Sequence, residues 1–173
     1  MISKVVLDKN VRVTIEGISV QIAHASNVRG KARTGYYKVA ILLAASIVEA
    51  LLFYFLEKKE SENPNFFESE SIKITKPIHR LPNTELGSTM DLWIAKKEKV
   101  PFQIKNATFM AMNRFCEEQK ILNKRLVASL EYTRKKRNEI HLQTLNSTQQ
   151  QFNAQILERI SNTILLLYRK IES

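Results

Sequence analysis

The segment from Val39 to Leu56 is apolar at almost every position, yet it holds one carboxylate, Glu49, in its middle with Ser46 nearby. Its length approaches that of a membrane span. A central carboxylate is costly in hydrocarbon, and charge brackets the run, with Lys38 before it and Glu57-Lys58-Lys59 after it. The expectation is therefore the core helix of a bundle, from about Thr34 to Lys59, with no membrane association. Because an unpaired buried charge is expensive, Glu49 needs a partner: an arginine, or hydrogen-bond donors at the bundle's end.

Four glycines and four prolines in 173 residues leave few places for such a helix, or its neighbours, to break. The expected class is all-α: an up-and-down helical bundle of about four to six helices, with a long loop insertion near 61–87. The first helix is expected over about Asn10 to Ala25. In the insertion, Asn63-Pro64, Lys76-Pro77 and Leu81-Pro82-Asn83 punctuate the pattern, and only Ile72-Lys73-Ile74-Thr75 alternates like a strand. Periodicity resumes with Ser88 or Thr89 as an N-cap, which predicts a helix over Ser88 to Lys99. Pro101 then forces a new start, giving a further helix over Phe102 to Glu118.

A helix over Leu122 to Leu142 follows from Leu122, Leu126 and Leu130 recurring every four residues. The last helix follows Asn146-Ser147-Thr148, which precedes Gln150 and Gln151 in capping-box spacing. Its seam is Phe152, Ile156, Ile160, Ile164, Leu167 and Ile171.

With 27 basic and 17 acidic side chains the chain carries a formal charge of +10, which attracts polyanions: nucleic acid or an acidic protein partner. Cys116, the single cysteine, excludes an internal disulfide and a cysteine-based zinc cluster. With no signal-peptide pattern at the start, the expected compartment is the cytoplasm. His24, His79 and His141 are scattered with no acidic motif at ligand spacing, so neither a metal site nor a cofactor is expected. Glycine-rich phosphate loops and nucleophile elbows are missing from the sequence.

The polar end of the Leu122–Leu142 helix carries the chemistry. Arg134, Arg137 and His141 lie three, four and seven residues apart, spacings that return to one face of an α-helix. Arginine offers bidentate hydrogen bonds to phosphate, and histidine exchanges a proton near neutral pH. Together they suit phosphodiester chemistry, with activation of a ribose 2′-hydroxyl. The plainer alternative is a solvated face, Arg134-Lys135-Lys136-Arg137, that complements the negative C-terminal end of its own helix.

The run Leu130-Glu-Tyr-Thr-Arg134-Lys-Lys-Arg137-Asn138-Glu-Ile140-His141-Leu142 resembles the signature of the HEPN superfamily, all-helical proteins that include many ribonucleases of toxin–antitoxin and phage-defence systems. That signature is an arginine, four to six intervening residues and a histidine, often with an asparagine beside an arginine; Arg134 to His141 leaves six. Arg137 to His141 leaves three, while Arg137-Asn138 is the pair that resembles the family's arginine-asparagine. The apolar run around Glu49 is similar to the acid-bearing helix of many members.

The resemblance implies a single HEPN-like domain over residues 1–173 and a metal-independent endoribonuclease with a composite site at a homodimer interface. His141 would transfer protons, Arg134 or Arg137 would hold the scissile phosphate, and Asn138 and Glu49 would support them. RNA, a second copy of the chain and an antitoxin such as a nucleotidyltransferase-like protein are the implied partners. The alternative within the family is a non-catalytic module that binds nucleic acid, a nucleotide or protein. Outside it lies a basic bundle that merely binds nucleic acid.

Other residues carry weaker signals. Cys116 reads as a small buried hydrophobe. Phe66-Phe67 is expected to fold back onto the bundle. Tyr36 and Tyr37 are expected to pack inward; the alternative is that, beside Arg29, Lys31, Arg33 and Lys38, they stack on RNA bases.

Overall fold

Four of the five α-helices among the described residues begin at a short polar side chain that accepts a backbone N–H. Ser3 caps α1 (Lys4–Ser26), its Oγ accepting from the amide of Val6, and Thr108 caps α3 (Phe109–Glu118) through the amide of Ala111. Asn123 and Asn153 do the same for α4 (Lys124–Leu142) and α5 (Ala154–Glu172), accepting from the amides of Leu126 and Ile156. The remaining helix, α2 (Gly30–Glu62), starts instead at Gly30 with φ 61°, a conformation that glycine adopts without penalty. The computed structural model describes residues 3–64, 67–83, 88–142 and 152–172, with side chains left out at 68–99 and 141–142.

These helices form one compact unit, Met1–Glu62 with Ile104–Ser173. The core is built on α2, where Ala40, Ala44, Val48, Leu51, Leu52 and Leu56 are fully enclosed. Each such aliphatic side chain of valine or leucine size contributes about 1.5–3 kcal/mol through burial. By length and composition α2 would cross a membrane, but much of it is packed inside the bundle. Chain directions follow from cross-helix contacts. Lys38 Nζ lies 5.3 Å from the Phe152 ring centroid and Lys58 Nζ donates to the carbonyl of Ile171 at 2.7 Å, so α2 and α5 run parallel. Tyr168 reaches Asp8 at 2.6 Å and Glu172 reaches Lys4 at 3.6 Å, while Arg159 stacks 3.8 Å from the Tyr132 ring centroid and Leu166 lines a pocket with Leu126; α1 and α4 therefore run the other way.

The seam of α5 is close to expectation, with Phe152, Ile160, Ile164, Leu167 and Ile171 buried; Leu157 is buried where Ile156 is only partly so. The capping run at 146–151 lies outside the described residues. In α4 the buried line passes through Leu126, Leu130, Thr133 and Ile140, and Thr133 satisfies its hydroxyl on the carbonyl of Ser129.

The bundle is interrupted by an insertion where one is expected, and the insertion corrects one expectation about its own content. It is a second compact unit, Asn63–Gln103, containing a two-stranded antiparallel ladder, β1 (Glu68–Asn83) with β2 (Ser88–Pro101). The insertion expected near 61–87 extends to Gln103 and holds β1, which includes the strand-like run Ile72–Thr75, and the expected helix Ser88–Lys99 is instead β2. A ladder of two strands leaves both outer edges free, so prolines are tolerated there, and the register shifts on either side of Pro77. Thr89, Trp93, Ile94 and Val100 are residue types that favour strands, and pairing with β1 outweighs the capping signal at Ser88. The helix expected from Phe102 starts only at Phe109, after a 3₁₀ turn at Ile104–Asn106, because Thr108 supplies the cap.

Asp8 ties α1 to α5. Its carboxyl is held below the usual aspartate range, first by the hydrogen bond from Tyr168 and then by Lys4. A depressed folded-state value stabilises the fold above the ordinary aspartate value, about 3.9, and that contribution disappears as pH falls through the lower folded value. Thermal melts across an acid series should therefore show wild type above Tyr168→Phe at neutral pH. The gap should narrow below about pH 4; a constant gap would contradict it.

Candidate functional site

The polar end of α4 meets the acid of α2. Arg137 NH1 donates to Glu49 Oε2 at 2.6 Å, joining residues 88 apart in sequence with both side chains about one-third exposed. Glu49 thus takes a motif arginine as its partner. The pair is neither fully buried nor freely solvated, so it fixes the guanidinium's position more than it adds stability. Only NH1 is engaged in this bond, which leaves the other edge of the planar fork for a further acceptor.

Arg134 is arranged differently. Its Nε and NH2 both donate to Glu131, at 2.8 and 2.7 Å, closing the bidentate edge on a carboxylate of its own helix. This hydrogen bonding holds the Glu131 carboxyl below its usual range and raises Arg134 further. Lys135 also approaches Glu131, at 3.7 Å, and Lys136 pairs with Glu139 at 2.7 Å. Glu131 was not among the residues the sequence pattern singled out, although its i,i+3 and i,i+4 spacing to Arg134 and Lys135 is the ordinary signal for such pairs.

Asn138 is exposed on α4. His141 lies in the last turn of the helix, one residue before its end, and its side chain is outside those described. The structure therefore brings Arg137 and Glu49 together, places Arg134 one turn earlier on its own acid, and leaves the imidazole's surroundings undescribed. His79 falls in β1, its side chain likewise outside those described, and His24 stacks on Tyr36 with ring centroids 5.3 Å apart.

Cys116 is fully buried, and burial pushes its thiol up to about 12, which leaves almost no thiolate at neutral pH. It does not suit a nucleophile. Tyr37 packs inward as expected, with the Arg33 guanidinium 5.9 Å from its ring centroid; Tyr36 is only half-buried. Phe67 is buried, and Phe66 lies outside the described residues. Among the described residues, no group of three histidine, cysteine or acidic side chains is placed to hold a metal ion.

The fold and site define a helical bundle with an inserted two-stranded ladder and an acid–arginine pair joining its core helix to a basic helix end. No family model, curated protein or solved structure matches the chain.

Proposed function

We propose that the chain is a HEPN-like, metal-independent endoribonuclease that works as a homodimer, the effector of a defence or toxin–antitoxin pair. The Glu49–Arg137 bond carries this reading: the acid of the core helix fixes one motif arginine, and among the described residues the other half of its donor fork has no acceptor. His141 takes the proton of a ribose 2′-hydroxyl, whose oxygen attacks the adjacent phosphorus. The bond to the 5′-oxygen breaks, and that oxygen leaves with a proton from a histidine, His141 of either copy. The products are a 2′,3′-cyclic phosphate and a 5′-hydroxyl. Arg137 bears the charge that grows on the phosphoryl oxygens.

Spacing in the sequence favours Arg134 and hydrogen bonding favours Arg137. The second is the stronger argument, because Arg134 would have to give up a bidentate carboxylate before it could bind a phosphate with the same edge. With RNA and a chelator present, Arg137→Ala should lose about 10²–10³-fold in cleavage rate, and Arg134→Ala less than about tenfold. The reverse order would reassign the arginine. No effect from either, on an activity confirmed to be this protein's, would remove the motif from the mechanism. The second reading, a non-catalytic binding module, draws on the fact that both arginines already meet carboxylates. It predicts RNA binding by purified wild type with no cyclic-phosphate product.

A further inference from the structure

Between Gly17 and Val48 the sequence contains no Asp or Glu, while Arg29, Lys31, Arg33 and Lys38 all fall within it. Two of these cations share a direction with the site. At 3.6 residues per turn Lys31, Lys38 and Glu49 fall within about 20° of one another around α2, and Gly35 lies between the lysines on the same side. Lys38 is about 16 Å along the helix from Glu49, and Lys31 about 10 Å further.

Between Lys31 and Lys38 this side of α2 is open and uncompensated among the described residues. A Cβ added at Gly35 would meet no atom within 4 Å, so nothing among the described residues covers the surface between the two lysines. Neither Lys31 nor Lys38 has a carboxylate partner among the described residues. The Lys38 ammonium instead sits over the ring of buried Phe152, at the start of α5, which holds its stem in place without neutralising it. Because α4 runs antiparallel to α2 and meets it at Glu49, the C-terminal end of α4 points toward the same end of the bundle as Lys38.

We propose that Lys31 and Lys38 form a phosphate-binding track for single-stranded RNA that leads along α2 to Arg137. A row of cations set at intervals along one helix face matches a ligand whose charges recur along a line. An acidic protein surface would need apolar contacts around the charges, and this face offers little beyond half-buried Leu42. The track depends on the ribonuclease reading only for the identity of its ligand; binding does not require cleavage.

The test measures binding of a labelled oligouridine by His141→Ala protein across a salt series, so that cleavage does not interfere. Adding Lys31→Gln and Lys38→Gln should weaken binding and reduce the steepness of the log–log salt dependence by about 1.4, about 0.7 for each phosphate no longer neutralised. Gly35→Glu, which sets a carboxylate between the lysines without a clash, should weaken binding, while Gly35→Gln should not. Lys120→Gln with Lys124→Gln, the same charge change at the start of α4, should leave the salt dependence unchanged. An unchanged dependence in the Lys31/Lys38 variant, an equal loss in the Lys120/Lys124 variant, or competition by polyglutamate as effective as by RNA would each overturn the track. Track variants that lose binding while wild type never cleaves RNA would overturn the ribonuclease reading alone. Normal cleavage and normal KM in Lys31→Gln/Lys38→Gln protein would overturn the track alone.

Discussion

His141→Ala should lower cleavage of RNA by about 10²–10⁴-fold in the presence of chelator, the range that a positioned proton-transfer group contributes. His141 lies in the last turn of α4, one turn beyond Arg137, and replacing it keeps both members of the Glu49–Arg137 pair. The variant should therefore melt with wild type and keep its affinity for oligouridine. The loss should fall on the rate of the chemical step. Residual activity equal to wild type would mean that the cleavage came from a contaminant or from another site. In mixed dimers of His141→Ala and Arg137→Ala chains, a composite site would restore part of the activity that each variant lacks alone. A shared interface without a shared site would restore none.

Leu51→Ala should destabilise the bundle by about 2–5 kcal/mol, the range for removing a leucine side chain from a packed interior. Leu51 is fully enclosed in the middle of α2, two residues after Glu49. The cost has two parts, the lost transfer energy of the side chain and the cavity it leaves, and α2 packs against α1, α4 and α5. Urea unfolding followed by circular dichroism should show a lower midpoint with the same slope, since the area exposed on unfolding barely changes. A loss below about 1 kcal/mol would mean that α2 is not the centre of the core. The same variant informs the site, because a shift of α2 moves Glu49 and with it Arg137.

Much of the bundle was legible because its signals are local. The apolar run of α2, the leucines of α4 and the isoleucines of α5 repeat at helical spacing over many turns, and a carboxylate in an apolar helix announces that it needs a counterion. The ladder was not legible as such. Prolines at 77 and 82 read as breaks in a lone chain, and Ser88 with Asp91 read as a helix start, until pairing with another strand gave those backbones hydrogen bonds outside their own segment. One helix start moved for a related reason: the helix expected from Phe102 begins after Thr108, whose hydroxyl accepts the amide of Ala111.

Helical spacing and the cost of buried charge are enough to make the core helical, to require a partner for Glu49 and to put Arg134, Arg137 and His141 on one face. Which arginine Glu49 holds, and which is closed on Glu131, is set by how the helices pack. Both arginines satisfy the same spacing. The difference arises where α2 crosses α4, a contact between residues 88 apart that no local pattern encodes.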